Sequence, residues 1–500
     1  MRGSSSTSEQ MRRPARRVDK VVVKRADGAM MQVDQSLSQR SMHGSEIAPT
    51  LAGTPGGELP CEAIAAGIKV LFVGDNRSTV NWGRGASLAL GQLLSGCFHV
   101  TGRIAGDCLA ASGAEYVGTF LPPRMYRRAR RLHLSRGWRP LAWYIKLEQL
   151  FGAKDFISED PSTSVNNLLA HKARHPALAR IYDQVMEAEL VVLDGDGDII
   201  FSTPPRRETL FLLAVIELGL RLGKPVFLVN SMISDCPLTG RNNTTLAAAR
   251  RLFAQCRAVS LRDPESLEYV QKEMPETRCS MIPDSLFAWY PLYASGNSRP
   301  PLNGDFILPH PEKDEYWGKL DFSQPYICIG GGALAAMQPD RSVQCYARLV
   351  DAVRQLGYRV YLTENDGPDA FLQTVAKQKN VGIVPADAPI LLCGAVLAHA
   401  RLFISGRYHP AIFASLGGTP CIFLESHAHK MGSLSRVLEY DDHRLFSAFP
   451  EDAEIAEIVS TAREYLAQGE ALRIRIRQVA KKHYHEAANL PDFLQRHING

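Results

Sequence analysis

The sequence predicts an α/β fold of two Rossmann-like domains. Three observations lead there. Short apolar runs recur at 68–73, 189–194 and 402–404, and each closes on a glycine or polar turn; continuous apolar runs of that length suit buried parallel strands. A helix-patterned segment follows most of these runs, and repeated strand–helix alternation means a parallel, doubly wound sheet. A Pro-, Gly- and polar-rich stretch over 291–320 divides the series in two, as a link between domains does.

Length and composition agree. Five hundred residues allow two to three domains with ample core. Hydrophobic residues at 45% and charged residues at 22% are ordinary for a soluble globular chain. The net charge of +5 admits acidic ligands without requiring nucleic acid, and no nucleic-acid signature or Walker loop occurs. Ten cysteines are scattered without a CxxC pair, which argues against a zinc site or a disulfide framework and fits a reducing cytosol. No apolar run approaches the roughly 20 residues that span a bilayer. A cytoplasmic protein is expected, peripheral at the inner face of the membrane if it meets lipid. The expected division is a disordered extension over 1–65, a first Rossmann-like domain over 66–295, a linker over 296–320 and a second domain with C-terminal helices over 321–500.

In chain order, the strand 68–73 leads into the polar loop DNRSTVNWG (75–83) and a helix over 84–94. No GxGxxG is present, so a dinucleotide is not indicated. The loop offers Asp75, Asn76 and Asn81 as substrate-binding groups. Over 121–150, eight basic residues alternate with Trp138, Trp143, Tyr144 and other apolar residues, with Glu148 as the one acid. That composition suits an anionic membrane face or an acidic glycan; a solvated basic excursion between core elements is the simpler reading and the one favoured. Strand 189–194 ends in Asp194-Gly195-Asp196-Gly197-Asp198. The alternation suggests calcium, but an EF-hand would need Gly and Glu where Ile199 and Pro205 stand, and no other cluster argues for a metal. Helix 206–222, strand 225–230 and helix 242–254 follow. Strand 258–261 runs into Arg262-Asp263-Pro264-Glu265-Ser266, where Asp263 and Pro264 form a good helix start and Arg262 is left for an anion. The second half reads as strand 326–329 with a Gly330–Gly332 turn, helix 340–356, strand 358–363, helix 368–378, strand 381–384 and helix 389–398, with a helical region over 451–488.

The stretch over 400–438 is the most informative. Leu402 to Ile404 form a strand that Ser405 and Gly406 break, and Arg407, Tyr408 and His409 arrive together at its carboxyl end. Ligands bind at that end of strands in open α/β sheets. A guanidinium grips carboxylate or phosphate with two parallel bonds, an imidazole moves protons near neutral pH, and the helix beginning near Pro410 adds free amides. Cys421 to Leu424 form the next strand, followed by the basic cluster His427, His429 and Lys430.

Ser405-Gly406-Arg407-Tyr408-His409, then IFASLGGTP, a strand and Lys430, resembles the polysaccharide pyruvyl transferase family; so does the strand before Arg262-Asp263-Pro264-Glu265-Ser266. Asn81-Trp82-Gly83 resembles the family's Asn-x-Gly-Asp element, with Arg84 where the acid is usual. The resemblance covers roughly 68–440. It implies a GT-B-like pair of domains facing across a cleft, and transfer of the enolpyruvyl group of phosphoenolpyruvate onto two sugar hydroxyls of a polysaccharide or its lipid-linked precursor. It also implies a glycine-rich turn after strand 189–194, where a ligand meets the backbone; here aspartates replace some of those glycines, which leaves Asp194 as a candidate acceptor of sugar hydroxyls. His409 is then the general acid/base, and Arg407 and Arg262, with Lys430 third, are the fixed cations for the donor's carboxylate and phosphate, Arg407 being counted with His409 as catalytic. No cofactor beyond the donor and no metal is expected. Two other readings use the same fold: a sugar-nucleotide glycosyltransferase, or a non-catalytic glycan-binding or assembly protein.

Overall fold

A computed structural model of the chain describes residues 20–24, 30–34, 67–77, 79–105, 116–117, 154–294 and 320–498. The expected linker, save residue 320, and the basic segment 121–150 lie outside these residues. The expected N-terminal extension lies outside them too, except for a ribbon in which β1 (Lys20–Lys24) pairs antiparallel with β2 (Met30–Asp34). That ribbon belongs to a separate unit, Met1–Glu58.

The second unit, Leu59–Gly500, contains two parallel sheets. The first half runs β3 (Lys69–Val73), α1 (Arg84–Cys97), β4 (His99–Ile104), β5 (Tyr116–Val117), β6 (Lys154–Asp155), α2 (Pro161–His171), α3 (Pro176–Glu187), β7 (Leu190–Asp194), β8 (Ile199–Phe201), α4 (Arg207–Arg221), β9 (Val226–Ser231), β10 (Ile233–Asp235), α5 (Asn243–Phe253), β11 (Ala258–Leu261), α6 (Pro264–Glu273), β12 (Cys279–Met281) and α7 (Tyr290–Tyr293). Its six-stranded sheet has the order β12-β11-β9-β7-β3-β4, every pair parallel. The second half runs β13 (Tyr326–Gly332), α8 (Pro339–Arg354), β14 (Arg359–Thr363), α9 (Phe371–Lys379), β15 (Gly382–Val384), α10 (Ile390–His399), β16 (Leu402–Gly406), α11 (Tyr408–Leu416), β17 (Cys421–Phe423), α12 (Lys430–Val437), α13 (Asp452–Ala488) and α14 (Leu490–Ile498). Its five strands are ordered β15-β14-β13-β16-β17, again all parallel.

These are two Rossmann-like α/β halves in a GT-B-like arrangement. Every residue of β7, β13 and β16 is buried, as helices on both faces of a parallel sheet require. β4 carries Gly102 and mixed polarity, so its sequence reads poorly as a strand, yet it pairs with β3 from His99 to Ile104 with one register shift after Val100.

The halves are packed together by apolar contacts. Trp82, Ala86, Ala89 and Leu93 share one cluster with Leu286 and Phe287 and with Phe403, Ile412 and Phe413 of the second half. The Trp82 and Phe413 rings meet edge to face at 6.0 Å. Gly85 allows this approach, because a Cβ there would stand 2.8 Å from Phe413 Cζ. The chain end reinforces the packing. α13 bends at Gly469, which has φ +57°, and α14 returns to the first sheet, where Leu490, Phe493 and Leu494 join Val70, Phe72 and Phe227. Pro491 occupies the first turn of α14, where its missing N–H costs nothing.

Seven described cysteines are free; Cys97 is disulfide-bonded, a pairing the scatter of cysteines does not foretell. No helix among the described residues is long and apolar enough to cross a membrane.

Candidate functional site

The carboxyl ends of β7 and β11 in the first half meet those of β16 and β17 in the second. Arg262 follows β11 directly and is 1% exposed. Its Nη1 donates to Asp196 Oδ1 (2.6 Å) and to Asp284 Oδ2 (2.9 Å). Its guanidinium carbon lies 4.4 Å from the centre of the Tyr408 ring. Burial alone works against the Arg262 charge, but Asp196 and Asp284 more than offset it and raise its pKa above the ordinary arginine value. On the opposite edge, Nε and Nη2 are buried without a hydrogen-bond partner among the described residues.

His409 comes from the other half, on the first turn of α11. Its Nε2 lies 3.4 Å from Arg262 Nη1, 3.4 Å from Asp196 Oδ1 and 3.7 Å from Asp284 Oδ2. Burial would push the Asp196 carboxyl up, yet His409, Arg262 and Lys430 together hold it well below the usual carboxylate range. Burial, and then Asp196, push Asp194 well above that range. Asp194 is fixed by Ser87 Oγ (3.2 Å) and Asn230 Nδ2 (3.1 Å), which donate to it, so it supports the turn rather than facing the Nε–Nη2 edge of Arg262.

Lys430, the first residue of α12, completes a cationic wall. A Cβ on Gly197 would collide with Lys430 Nζ and stand 3.2 Å from Arg262 Nη2. Gly197 is therefore the floor between the lysine and that edge of Arg262. Burial and Arg262 lower the Lys430 pKa to about 8. Arg206 stands beside them, donating to the Gly197 carbonyl (3.1 Å) and to Asp198 Oδ1 (3.2 Å); burial pushes Asp198 up to about 6. His427 is driven down to about 3 by burial and by Lys430, Arg206 and Arg407. Burial first, and then the three cations, disfavour the charged form of this imidazole.

The remaining expected residues are placed differently. The Arg407 guanidinium points at Asp366 and Asp369 instead of Arg262 or His409. Nη2 donates to Asp366 Oδ1 (2.8 Å), Nη1 to Asp366 Oδ2 (3.1 Å), and Nε to Asp369 Oδ2 (3.1 Å). Asp75 is buried beneath Arg77 (2.7 Å) and Arg103 (3.6 Å). The Asn76 amide donates to Ser87 Oγ (3.1 Å), tying that loop to Asp194. Asn81 forms a backbone bridge with Asp366, and its Oδ1 would stand 3.0 Å from a Cβ on Gly83, beside His409 Cε1 at 3.2 Å. The loop 81–84 is thus strapped to the second half: Trp82 Nε1 donates to the Glu364 carbonyl (2.7 Å) and Arg84 Nη2 to the Ala386 carbonyl (3.1 Å). Arg84, where an acid was the family expectation, holds backbone carbonyls across the seam.

A second strap uses the cap of α6. Asp263 accepts from the Ser266 amide (2.9 Å), and His429 Nε2 sits 3.0 Å from Asp263 Oδ1. Ser433 Oγ donates to the same oxygen (3.0 Å), and Arg436 pairs with Glu265 (2.8 Å). His429 therefore joins the halves instead of lining the anion pocket. Sequence reasoning missed Asp196, Asp284, Arg206 and His427 as members of the site. Asp196 and His427 lay in stretches already singled out; Asp284 and Arg206 carry no local signal, since only tertiary contact brings them to Arg262 and Lys430.

A family model described as polysaccharide pyruvyl transferase matches residues 120–427, more than half of the sequence. The chain belongs to the polysaccharide pyruvyl transferase family. The match spans Arg262, Arg407 and His409 and ends at His427, just before Lys430. No curated protein matches the chain. Among solved structures, UDP-GlcNAc 2-epimerase from Neisseria meningitidis bound to UDP-GlcNAc is similar at 10% identity and a TM-score of 0.46, over 86% of this chain and 99% of that one. UGT2 of Phytolacca americana, complexed with UDP-2-fluoroglucose and pterostilbene, is similar at 12% identity and a TM-score of 0.43, over 87% and 100%. The pneumococcal O-GlcNAc transferase GtfA, with UDP and GlcNAc, has 12% identity and a TM-score of 0.40; the match covers 65% of this chain and 60% of that one.

Proposed function

We propose that this pyruvyl transferase family member moves the enolpyruvyl group of phosphoenolpyruvate onto two hydroxyls of a glycan. The observation that carries the reading is one edge of Arg262: two buried nitrogen donors, Nε and Nη2, on a permanent cation, without a partner among the described residues. Leaving such donors unsatisfied costs roughly 1–3 kcal/mol each, so the edge is built for an anion that brings two oxygens. Phosphoenolpyruvate brings a carboxylate and a phosphate, and the cations Lys430 and Arg206 stand beside that edge around Gly197.

The chemistry needs few parts. A proton adds to the methylene carbon and makes it a methyl group, and a sugar oxygen bonds to the neighbouring carbon. Phosphate then leaves with the electron pair of its C–O bond, and the second sugar oxygen closes the ketal. Of the two hydroxyl protons, one ends on the methyl group and the other on phosphate. No net proton is consumed, so one imidazole can take and return them, and His409 beside Arg262 fits that role. Arg262 and Lys430 stabilise charge on the donor in a buried site, where fixed cations act strongly.

The test is incubation with phosphoenolpyruvate and a panel of soluble and lipid-linked glycans, reading phosphate release and the mass gain of a pyruvyl group. Arg262→Ala should weaken donor binding roughly ten- to hundredfold, the equivalent of about 1.5–3 kcal/mol for a charge-assisted bond. Turnover of a sugar nucleotide, with none of phosphoenolpyruvate, would overturn the reading in favour of a glycosyltransferase.

A further inference from the structure

Away from the donor pocket, a second pair of arginines converges on the first sheet. Arg77 lies in the loop that follows β3, and Arg103 is the next-to-last residue of β4. One carboxylate serves both. Asp75, which is buried, meets Arg77 Nε at 2.7 Å and lies 3.6 Å from Arg103 Nη1. Two cations against one anion leave an excess of positive charge. Arg103 Nη2 donates to Ser95 Oγ (3.2 Å), while its Nη1 is buried without a hydrogen-bond partner among the described residues. Burial, and then Arg77, hold the Arg103 pKa below the ordinary arginine value against the pull of Asp75, so the shared carboxylate does not offset the crowding of like charges and the loss of water.

α1 makes room for this pair. Gly91 sits in the interior of that helix, where glycine is unfavourable. A Cβ there would stand 2.5 Å from Arg77 Nη2 and 2.8 Å from Arg103 Nη1, so the two guanidiniums converge over one glycine. Their side chains are 35% and 31% exposed, which lets a solute reach them. Forked donors from two guanidiniums suit the oxygens of a carboxylate or a phosphate.

Position ties the pair to the acceptor instead of the donor. Both arginines stand at carboxyl ends of strands, where ligands of α/β sheets bind. In the order β11-β9-β7-β3-β4, β4 is four strand spacings from the strand that Arg262 follows, which at 4.7–4.9 Å each is about 19 Å. One phosphoenolpyruvate molecule cannot touch both places, but an oligosaccharide or a lipid-linked sugar can. The ground between is rigid: the Asn76 amide donates to Ser87 Oγ (3.1 Å), which donates to Asp194 (3.2 Å), one turn of α1 before Gly91.

We propose that Arg77 and Arg103 form a second anion subsite, which holds a carboxylate or phosphate of the acceptor while its sugar hydroxyls stand at His409. The proposal rests on the reading of the chain as a pyruvyl transferase, but its first test needs no turnover. Isothermal titration at low salt compares oligogalacturonate, inorganic pyrophosphate and neutral oligogalactose. The wild type should bind an anion more tightly than the neutral chain. Arg77→Gln should weaken that binding about tenfold, as the loss of one charge-assisted bond does. The difference should shrink at 1 M salt, where charges are screened beyond about 3 Å. A loss on oligogalacturonate identifies a uronic-acid acceptor; a loss on pyrophosphate alone identifies the diphosphate of a lipid-linked one. Arg103→Gln should behave alike, and if it melts without cooperativity, Arg77→Gln decides alone. A wild type that binds neither anion better than the neutral chain, or an Arg77→Gln protein that binds both as the wild type does, overturns the proposal. In turnover, Arg77→Gln should raise KM for the acidic acceptor about tenfold and leave KM for phosphoenolpyruvate unchanged; a rise in the donor KM alone also overturns it. Anion binding that depends on Arg77 in a protein that ignores phosphoenolpyruvate would refute the proposed reaction and leave the subsite standing.

Discussion

Replacing Arg407 with alanine separates a catalytic arginine from a structural one. Its guanidinium makes four contacts of 2.5–3.1 Å with Asp366 and Asp369. Asp366 is partly exposed and can turn to water, but Asp369 has no exposed surface. Breaking a buried pair from one side typically costs about 3–5 kcal/mol. Neutralisation sets a ceiling on that cost. Protonating a carboxyl of ordinary pKa near 3.9 at pH 7 takes about three pKa units at 1.36 kcal/mol each, or about 4 kcal/mol, and at pH 5 about 1.5 kcal/mol. The sign is fixed by burial, which already pushes Asp369 up to about 6 against the pull of Arg407. A carboxyl raised in this way favours the fold at low pH and loses that contribution as pH rises through 6. Arg407→Ala should raise it further, so the deficit against wild type is largest at pH 7 and shrinks towards pH 5. Urea unfolding followed by tryptophan fluorescence at both pH values reads this directly. Adding Asp369→Asn should recover most of the loss, because the unpaired buried charge is gone. An Arg407→Ala protein that unfolds at the wild-type midpoint at pH 7, yet has lost turnover, would refute the reasoning and return Arg407 to the catalytic machinery.

Two further outcomes follow from the pocket. Gly197→Ala places a methyl group against Lys430 Nζ and Arg262 Nη2, so KM for the donor should rise at least tenfold while the melting temperature changes little; a normal KM would move the anion elsewhere. With its pKa lowered to about 8, Lys430 is charged below that value and neutral above it, so kcat/KM for an anionic donor should fall as pH rises through 8. Lys430→Met should remove that limb of the pH profile, and a limb that persists in the variant assigns it to another group.

Much of the fold was readable without coordinates because its signals are local. The strands β7, β11 and β16 are apolar runs that end at glycine, arginine or aspartate, and Asp263-Pro264 starts α6 by cap chemistry contained in four residues. That local grammar correctly brought Arg262, His409 and Lys430 to strand ends in one region. It failed where the signal was weak or ambiguous. β4 carries a glycine among mixed residues, and the proline that opens α14 reads equally well as a stop.

Side-chain direction lay beyond the sequence. Arg407 and His409 are two residues apart, yet one guanidinium is drawn to carboxylates 38 and 41 residues upstream while the imidazole meets an arginine 147 residues away. Asp194 stood out as the end of a strand, but the carboxylate that meets Arg262 belongs to Asp196, which has a left-handed backbone. His429 and Lys430 are adjacent, and only the α6 cap takes the histidine away from the pocket and leaves the lysine in it. Charge partners act over a few ångströms in space, and the chain sets those distances only after its apolar runs have packed. The sequence therefore determined which strands form and which residues stand at their ends; tertiary packing decided which of those charges are already neutralised and which, like Nε and Nη2 of Arg262, have no partner among the described residues.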